Sequence, residues 1–492
     1  MIAGMLLFGA CQQEQQSNPV PKVSADAPIQ LHPENPHYFI YHGKTMALVS
    51  SAEHYGAVLN LDFDYKTYLK TMAAEGMNYT RIFTGVYFEI PGESFAIQNN
   101  SLAPQKNRVI TPWAIVITDL SGETKYDLST WNESYFSRLK DFMTLASSYD
   151  IIVEVTLFSS IYRDQHWDIS PQNPRNNINI NHELSRADAQ TLNNGSLLTF
   201  QENFVRKMVR ELNSFDNVFF EIQNEPWSDH TLSVYNIVNK EELKKNDWSF
   251  KADFANAPAM EWQEKIAEWI TSEESGLDQR HLIAQNYTNY KAPIPEVSEN
   301  ISIINFHYAW PEAVEWNYHF NKVIGFDESG FAGSDDKVYR RQAWRFMLSG
   351  GGLFNNLDYS FYVGHENGTG KNEAPGGGSA NLRKQLKILA DFLHSFELEK
   401  MHPDASSVLK SPGLIPYVLS DGSQTFSLFL QAVGTESTII ELKVPDGEYQ
   451  VQYLNTVEGT YSEELKTKVE NGVLGINIEI PEGELGVKVT RL

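Results

Sequence analysis

Cysteine, positive charge and long apolar runs are all scarce in this sequence. The chain has 492 residues and one cysteine, Cys11, so no disulfide bond can form within it. Its 63 Asp and Glu outnumber its 39 Lys and Arg, and the formal net charge is -24. Such a charge disfavours nucleic acids and anionic membrane surfaces as partners. Beyond the N-terminus, no run approaches the ~20 apolar residues of a membrane span.

Aromatic residues, by contrast, are abundant. They make up 12% of the chain, with 10 Trp and 23 Tyr. Two interpretations stay open at this point: a large apolar core, or a binding cleft whose rings stack on the apolar faces of sugars.

The N-terminus carries a short apolar run that ends in Gly9-Ala10-Cys11. This run resembles the lipobox of bacterial lipoprotein signal peptides. The resemblance implies cleavage before Cys11, a lipid on its thiol, and a lipid-anchored place in the bacterial cell envelope, either periplasmic or surface-facing. No Lys or Arg precedes the run, unlike a full signal peptide, and the alternative is a disordered N-terminus. Residues 12–30 are polar and contain proline, which suits a tether.

Residues 31–400 alternate short apolar runs with amphipathic stretches, which predicts a (β/α)8 TIM barrel. The predicted strands are 45–49, 79–83, 151–157, 218–222, 282–285, 302–306, 323–327 and 352–357. The predicted helices are 64–75, 131–148, 197–214, 260–274, 337–349 and 381–396. The segment between the fifth and sixth strands is too short for a confident helix. Long connections follow several strands and would crowd one face of the barrel.

The pattern changes to short alternating strands after residue 400. Residues 424–432, 436–444, 449–454 and 485–492 alternate apolar and polar side chains, with glycine turns between them. We therefore predict a small C-terminal antiparallel β-sandwich over residues 401–492.

Two glutamates follow predicted strands and are the candidate catalytic residues. Glu225 lies in Asn224-Glu225-Pro226 after the fourth strand, and Glu328 ends the seventh. The C-terminal ends of barrel strands are where TIM-barrel enzymes place their chemistry. Paired carboxylates at such positions are what glycoside hydrolysis requires.

Together these residues resemble retaining glycoside hydrolases of the cellulase-like clan, which includes family 5. The resemblance covers roughly residues 36 to 395 and implies that Glu225 is the acid/base and Glu328 the nucleophile. It also implies that Asn224 binds the sugar 2-hydroxyl and that Arg81 keeps the nucleophile ionised.

The match to this clan has two departures. His307 and Tyr308 are adjacent, whereas the clan separates this pair by one residue, so which side chain faces the cleft stays open. The eighth strand lacks the stacking Trp of many relatives. These departures favour a more distant family, and the barrel, sandwich and lipobox together resemble family 158 endo-β-1,3-glucanases. The candidate substrate-binding residues are Asn224, Arg81, His307, Tyr308, Trp310, Trp167 and Trp227, and Trp113 also suits stacking.

Three other carboxylates compete with the predicted pair. Asp327 precedes Glu328, and the alternation of a strand presents only one of them to the interior. Glu221 and Glu154 lie inside strands and could point into the barrel. No histidine spacing suits a metal site, so we expect neither metal nor cofactor.

The predicted function is hydrolysis of a neutral β-linked polysaccharide by a monomeric, endo-acting enzyme, with β-1,3-glucan as the first choice. The partner is therefore a polysaccharide or oligosaccharide, and membrane contact is limited to the lipid anchor. The alternatives are a β-mannanase or another β-glycanase of the clan, and a non-catalytic glycan-binding lipoprotein. An aldolase- or isomerase-type barrel is disfavoured, because no Schiff-base Lys, phosphate loop or metal is evident.

Overall fold

The computed structural model describes residues 27–117, 124–236, 251–371, 375–480 and 482–492. Along these residues a parallel barrel is followed by two antiparallel sheets. No helix within the described ranges is long and apolar enough to cross a membrane. The predicted signal peptide, including Cys11, lies outside the described residues.

Eight parallel strands form the barrel, which confirms the predicted fold class. Each strand is buried along its whole length, and this is why the sequence shows short apolar runs instead of alternation. Their order around the sheet is β1-β8-β7-β6-β5-β4-β3-β2. The strands are β1 (Leu48–Ala52), β2 (Tyr79–Phe83), β3 (Ile152–Ser159), β4 (Val218–Asn224), β5 (Ile283–Asn289), β6 (Ile303–His307), β7 (Val323–Ser329) and β8 (Leu353–Leu357).

The barrel closes between β1 and β2. In this part of the described chain, side chains rather than a backbone ladder join the two strands. The Ser50 hydroxyl donates to the Tyr79 carbonyl at 2.6 Å, and the Asn78 carboxamide bonds the amide of Val49 and the carbonyl of Ala47. These bonds satisfy backbone groups that a fully closed ladder would pair.

Helices cover the outside of the barrel. Capping side chains start several of them: Asp64 accepts from the amides of Lys66 and Thr67, and Ser379 accepts from the amide of Leu382. The short helices α3 and α6 were not predicted, and the described residues between β5 and β6 contain no helix. The helices are α1 (Tyr65–Ala74), α2 (Glu133–Ser147), α3 (Asp164–Ile169), α4 (Leu197–Leu212), α5 (Ala257–Glu274), α6 (Pro311–Asn317), α7 (Asp336–Met347) and α8 (Ala380–Leu393).

A three-stranded antiparallel sheet closes the N-terminal end of the barrel. It pairs Gln30–Leu31, Phe39–Tyr41 and Lys44–Met46. Its apolar side chains pack on one residue from each barrel strand: Leu48, Tyr79, Ile152, Phe219, Ala284, Ile303, Val323 and Leu353. The predicted strand 45–49 was therefore wrong in its position, because its first residues belong to this sheet and β1 begins at Leu48.

The C-terminal region is an antiparallel sandwich, as predicted. One sheet has the order β9-β11-β12-β17-β14-β15, and the other has the order β10-β13-β16. The sequence analysis missed five of these strands. The strands are β9 (His402–Pro403), β10 (Val408–Lys410), β11 (Leu414–Ser420), β12 (Thr425–Ala432), β13 (Ser437–Lys443), β14 (Gly447–Leu454), β15 (Leu465–Val469), β16 (Val473–Glu479) and β17 (Glu484–Arg491).

Two hairpins extend from the connections that follow barrel strands. One pairs Trp113–Ile117 with Thr124–Trp131 after β2, and the other pairs Thr231–Asn236 with Lys251–Ala255 after β4. Four single turns of 3₁₀ helix complete the described elements: Pro226–Ser228, Tyr318–Phe320, Leu398–Lys400 and Ala405–Ser407.

Candidate active site

A cavity of about 420 Å³ lies at the C-terminal end of the barrel strands. Glu225 and Glu328 both line it, together with Asn224, Trp227 and Tyr308. Most of the remaining wall is aromatic or aliphatic: Tyr55, Phe83, Tyr87, Phe95, Ile97, Leu102, Tyr162 and Phe331. A concave, mostly apolar site with a few polar groups is the usual form of a small-ligand pocket.

Glu225 is held by a turn that follows β4. Its backbone is left-handed, with φ of 47°, a conformation that costs a non-glycine residue about 1–2 kcal/mol. Its amide donates to Asn286 Oδ1 at 3.1 Å, and its carbonyl accepts from the Ser160 hydroxyl at 2.6 Å. Pro226 then begins a 3₁₀ turn. Neighbouring strands thus over-determine the turn and hold the carboxyl group in the cavity.

Glu328 lies beside Glu225, and Tyr308 and Arg81 contact its carboxyl group. The Tyr308 hydroxyl donates to Glu328 Oε1 at 2.8 Å, and Arg81 Nη1 lies 3.4 Å from Oε2. The ligating atoms of Glu225, His307 and Glu328 all lie within 4.8 Å of one another. One oxygen of each carboxyl group therefore lies within 4.8 Å of an oxygen of the other.

A bulge in β7 lets both Asp327 and Glu328 point inward. Phe326 is opposite Phe306 and Glu328 is opposite His307, so Asp327 is an extra residue without a partner on β6. A bulge places two successive residues where a regular strand places one. The expectation that only one of the two carboxylates faces the interior was therefore wrong: Glu328 reaches the cavity and Asp327 reaches the layer beneath it.

His307 and Tyr308 also both face the site, although they are adjacent. Tyr308 follows β6 with a left-handed backbone, φ of 53°, which turns its side chain to the same side as that of His307. His307 Nδ1 is 2.9 Å from Glu225 Oε1, while the Tyr308 hydroxyl bonds Glu328. The sequence left this choice open, and the turn explains how an adjacent pair serves both glutamates.

Five other non-glycine residues adopt the same left-handed conformation just past the end of a barrel strand. This repeated conformation turns side chains toward the C-terminal end of the barrel. Its cost in conformational free energy must be offset by contacts with the surrounding structure. Besides Tyr308, these residues are Tyr55, Tyr162, Glu225, Tyr290 and Phe331.

The electrostatics of the pair depend on His307. Burial lowers the pKa of His307, but the charges of Glu328 and Asp327 outweigh burial and raise it well above its ordinary value. Burial raises the pKa of Glu225, but its bonds from His307 and from the Tyr162 hydroxyl, at 2.8 Å, hold it below the ordinary value. These directions describe a proton that the imidazole and the Glu225 carboxyl group share.

The pKa of Glu328 moves in the opposite direction. Burial raises this pKa, the charge of Glu225 adds to the rise, and His307, Arg81 and Tyr308 offset only part of it. These directions are the reverse of those expected for an acid/base and a nucleophile. One transfer along the 2.9 Å bond from His307 to Glu225 restores the expected state, so the proton belongs to the His307–Glu225 pair and not to one residue.

A second layer of three carboxylates lies beneath the cavity. Glu154, Glu221 and Asp327 are fully buried and offer oxygens within 4.8 Å of one another. Arg81 lies among them: it bonds Glu221 through two nitrogens, and its Nη2 is 3.5 Å from Asp327. Arg81 supplies the positive charge that such a cluster needs, so these residues give no reason to place a metal ion here.

Arg81 links this layer to Glu328 and Asn224. It contacts Glu328 Oε2, and its Nη2 donates to Asn224 Oδ1 at 2.9 Å. Its main partner, however, is Glu221, one of the rival carboxylates. Glu221 is therefore a buried counter-ion, and it does not line the cavity.

The predicted tryptophans are divided among three environments. Trp227 lines the cavity and its ring meets that of His307 at 5.5 Å. Trp310 is linked to the cavity through one intervening ring: Tyr290 contacts both Trp310 and Tyr308, and Tyr308 lines the cavity. Trp113 is completely buried and packs on Phe204. The stacking role predicted for Trp113 was therefore wrong.

Trp167 is also outside the cavity. It is 6% exposed, packs into the main core, and donates from Nε1 to the Leu184 carbonyl at 3.3 Å. The structure does not bring it to the catalytic pair. Residues that follow a strand can lie either in the core or at the surface. The position of Trp167 in the sequence therefore could not show whether it packs in the core or binds substrate.

Several cavity residues had no signal in a single sequence. Tyr162 bonds both Glu225 and Asn224, and the Tyr55 hydroxyl lies 3.5 Å from Glu328 Oε2. Asn286 joins Glu225 to Glu221. The only available hint was that each follows or ends a predicted strand.

Comparison with known proteins rests on the fold. No protein-family model matches the sequence, and no curated protein matches it either. Solved structures do match. A candidate glycoside hydrolase from Bacteroides vulgatus ATCC 8482 is 12% identical with a TM-score of 0.65, covering 95% of this chain and 83% of its own. A glycoside hydrolase family 5 protein from the same organism is 10% identical with a TM-score of 0.60, covering 95% and 93%.

This chain has the fold of barrel glycoside hydrolases. A further structure described as a glycoside hydrolase is 10% identical with a TM-score of 0.59, covering 95% of this chain and 97% of its own. Because all three cover the sandwich as well as the barrel, the likeness extends over the described architecture. At these identities it establishes fold, and the chemistry must be argued from the site.

Proposed function

We propose that this chain is a retaining glycoside hydrolase in which Glu225 is the acid/base and Glu328 the nucleophile. One observation carries the proposal. Two carboxyl groups, on β4 and on β7, meet within 4.8 Å in a cavity at the C-terminal end of the barrel. This separation suits double displacement. The fold shared with glycoside hydrolases is consistent with it.

In the first step Glu328 attacks the anomeric carbon while Glu225 protonates the departing glycosidic oxygen. The proton comes from the His307–Glu225 pair, and Arg81 and Tyr308 hold Glu328 in position as a carboxylate. In the second step Glu225 takes a proton from water, which displaces the sugar from Glu328. Asn224, fixed by Arg81 and Tyr162, is placed to bind the sugar 2-hydroxyl.

The proposed substrate is a neutral β-linked polysaccharide, with β-1,3-glucan first and β-1,4-glucan or mannan second. No Lys or Arg is present among the described residues that line the cavity, so a carboxylated sugar would lack a cationic partner there. The aromatic wall suits stacking on neutral rings. We propose endo action because long connections follow the barrel strands on this face.

Substitution of the two glutamates tests the assigned roles. Glu328→Ala is expected to abolish turnover of every substrate. Glu225→Ala is expected to lose far less activity on aryl glycosides with good leaving groups, which need little protonation, and azide is expected to restore its rate. Equal losses by both variants on both substrate types would refute the role assignment.

Product analysis tests the substrate. Purified protein is incubated with laminarin, lichenan, cellulose, mannan and galactan, and the products are sized. We expect oligosaccharides of mixed length from laminarin. Release of monosaccharide alone would contradict endo action, and activity only on a charged polymer would contradict a neutral substrate.

We also propose that Cys11 is the lipidated first residue of a monomeric envelope protein. The support is the sequence ending in Gly9-Ala10-Cys11. In a lipoprotein-processing bacterial host, Cys11→Ala should move the protein from the membrane to the soluble fraction. Unchanged fractionation would contradict lipidation.

A further inference from the structure

Two more carboxyl groups, those of Glu89 and Asp253, line the cavity and have no role in the mechanism above. Glu89 lies in the connection after β2 and is 3% exposed. Its Oε1 accepts from the Tyr87 hydroxyl at 2.9 Å, and its Oε2 accepts from Asn100 Nδ2 at 2.6 Å. The Ser94 hydroxyl group is a third donor beside it. All of these donors are neutral.

Such an environment is unusual among the buried acids of this molecule. Eight described acidic residues are less than 5% exposed, and five of them have an Arg or His within 4.0 Å. The other three are Glu53, Glu89 and Glu154. The Glu53 carboxylate is enclosed by two backbone amides and Ser101, and Glu154 lies inside the barrel against Tyr79 and Asn305. Glu89 alone among these three opens on the cavity.

A buried carboxyl group without a cation is costly, and retaining one in a ligand pocket points to binding. A carboxylate has about four acceptor positions, so the three neutral donors leave one free on the cavity side. Burial raises the pKa of Glu89 to about 7, while the bonds from Tyr87, Ser94 and Asn100, and the more distant charge of Arg163, partly offset that rise. The group can therefore accept or donate a hydrogen bond near neutral pH.

The position of Glu89 relative to the catalytic pair indicates which part of the substrate it meets. Tyr55, beside Glu328, stacks on Phe83 at 4.9 Å, Phe83 contacts Tyr87, and Tyr87 bonds Glu89. The cavity wall formed by Trp227, Ser228, Thr231 and Asp253 follows Glu225, on the side where a leaving group is protonated. Tyr87 also contacts Tyr162, which bonds Glu225, so these contacts link Glu89 to both glutamates. Because the segment after Glu225 already lines the leaving-group side, Glu89 is assigned to the sugar that becomes attached to the nucleophile.

We propose that Glu89 is a specificity-determining residue that hydrogen-bonds one hydroxyl group of the neutral sugar on the nucleophile's side of the scissile bond. The inference rests on the proposed function and narrows it. The neighbouring wall residues Phe83, Phe95, Ile97 and Leu102 have no hydrogen-bonding side chain, so Glu89 adds a polar contact to the one proposed for Asn224. Removing the hydroxyl or the carboxyl should cost about the same, because each leaves the other unpaired.

This inference is tested by measuring each enzyme variant on each of a set of modified sugars. Wild type and Glu89→Gln are compared on aryl β-glycosides that share one leaving group and lack one ring hydroxyl at a time. We expect Glu89→Gln to lower kcat/KM by about 10- to 100-fold on the parent sugar and on all analogues except one. On that analogue, wild type and variant should be nearly equal. Tyr87→Phe, which keeps the carboxyl group, should show a smaller loss with the same positional pattern.

The control variant is Glu366→Gln, which removes a carboxylate of similar burial that caps the Asp64 amide outside the cavity. It should leave selectivity unchanged, and melting temperatures show whether each variant is folded. An equal loss for Glu89→Gln on every sugar, or a loss that varies with the leaving group instead, would overturn the inference while leaving the hydrolase proposal intact. If wild type cleaves none of the glycosides, the proposed function fails and this inference fails with it.

Discussion

At the candidate active site, the His307–Glu225 pair lies beside the two acids of β7. His307 bridges Glu225 through Nδ1 and faces Asp327 Oδ1 through Nε2 at 3.6 Å. Glu328 Oε2 lies 3.6 Å from Nδ1. Arg81 and Asn286 in turn contact Asp327. The charge on Asp327 therefore helps to keep the His307–Glu225 pair protonated.

Substituting Asp327 should shift the pH dependence of activity. Removing an anion beside a protonated group makes that proton easier to lose, so the pKa of the His307–Glu225 pair falls. For Asp327→Asn we expect the alkaline limb of the kcat/KM profile to move to lower pH by about one unit or more. The measurement is a pH series on an aryl glycoside.

Glu154→Gln provides the matched control for this shift. Burial, together with the charges of Glu221 and Asp327, raises the pKa of Glu154 well above its ordinary value, which favours the neutral carboxyl group. The amide should leave the alkaline limb where it is. An alkaline limb that is the same in Asp327→Asn as in wild type would contradict the role given to Asp327.

Arg81 should be important for stability as well as for catalysis. It is fully buried and is the described cation that contacts Glu221, Asp327 and Glu328. Arg81→Met leaves these acids without a counter-charge, and we expect it to lower the free energy of unfolding by about 3–5 kcal/mol. Urea unfolding measures the change. Arg163→Met, an exposed arginine, should change stability by no more than about 0.5 kcal/mol.

At the scale of elements, Gly325 shows how tightly β6 and β7 approach. A Cβ at Gly325 would overlap the Asn305 carboxamide, which itself bonds Glu154. Gly325→Ala should therefore destabilise the protein by about 1–3 kcal/mol and reduce activity, because β7 also carries Asp327 and Glu328. Thermal unfolding and turnover are the measurements.

A strand glycine in the sandwich serves as the comparison. Gly475 on β16 would place its Cβ 3.9 Å from Ile439, an ordinary contact. Gly475→Ala should cost no stability, and its activity should equal that of wild type. If Gly325→Ala is as well tolerated, the close approach of the two strands is not required.

The barrel strands were predictable because burial on both faces produces short apolar runs. Residues 79–83 match β2 at both ends, and the other strands match within a few residues. The first strand was misplaced because Lys44–Met46 and β1 form one continuous run although they belong to different sheets. Most sandwich strands were missed since several are short or edge strands with little apolar alternation.

The meeting of Glu225 and Glu328 in one cavity was predictable from their place at strand ends, whereas the details of the site were not. The inward direction of both Asp327 and Glu328 depends on a bulge, and that of His307 and Tyr308 depends on a left-handed turn. Neither leaves a glycine or proline signal. Glu89, Tyr55 and Tyr162 come from separate connections, and only the folded barrel brings them together.

At the scale of the whole molecule, the barrel and the sandwich share a polar interface. Glu484 on β17 is 2% exposed and accepts from Arg340 at 2.6 Å, from Thr456 at 2.7 Å and from Arg341. Trp344 stacks on Phe429 beside this group, at 5.3 Å. The contact therefore combines apolar packing with a buried ion pair.

Glu484→Gln should make the free energy of unfolding less dependent on pH, because it removes a titrating carboxyl group from this interface. Burial raises the pKa of Glu484, but its bonds from Arg340, Thr456 and Arg341 outweigh burial and hold the pKa below the ordinary value. A carboxyl group whose pKa is lower in the folded state stabilises the protein at pH values above its unfolded pKa of about 4.3. This stabilisation is lost as the pH falls. We expect the variant to be about 3 kcal/mol less stable at pH 7, with a smaller difference at pH 3. A difference that does not change with pH would contradict the ion-pair assignment.

The most direct test of the central claim is to capture the covalent intermediate. A 2-deoxy-2-fluoro β-glycoside with a good leaving group slows the second step of a double displacement more than the first. Mass spectrometry of peptides from the inactivated protein should find one sugar attached to Glu328, and none when Glu328→Gln is treated in the same way. A sugar on a different residue, or turnover that yields only the inverted anomer, would contradict the account.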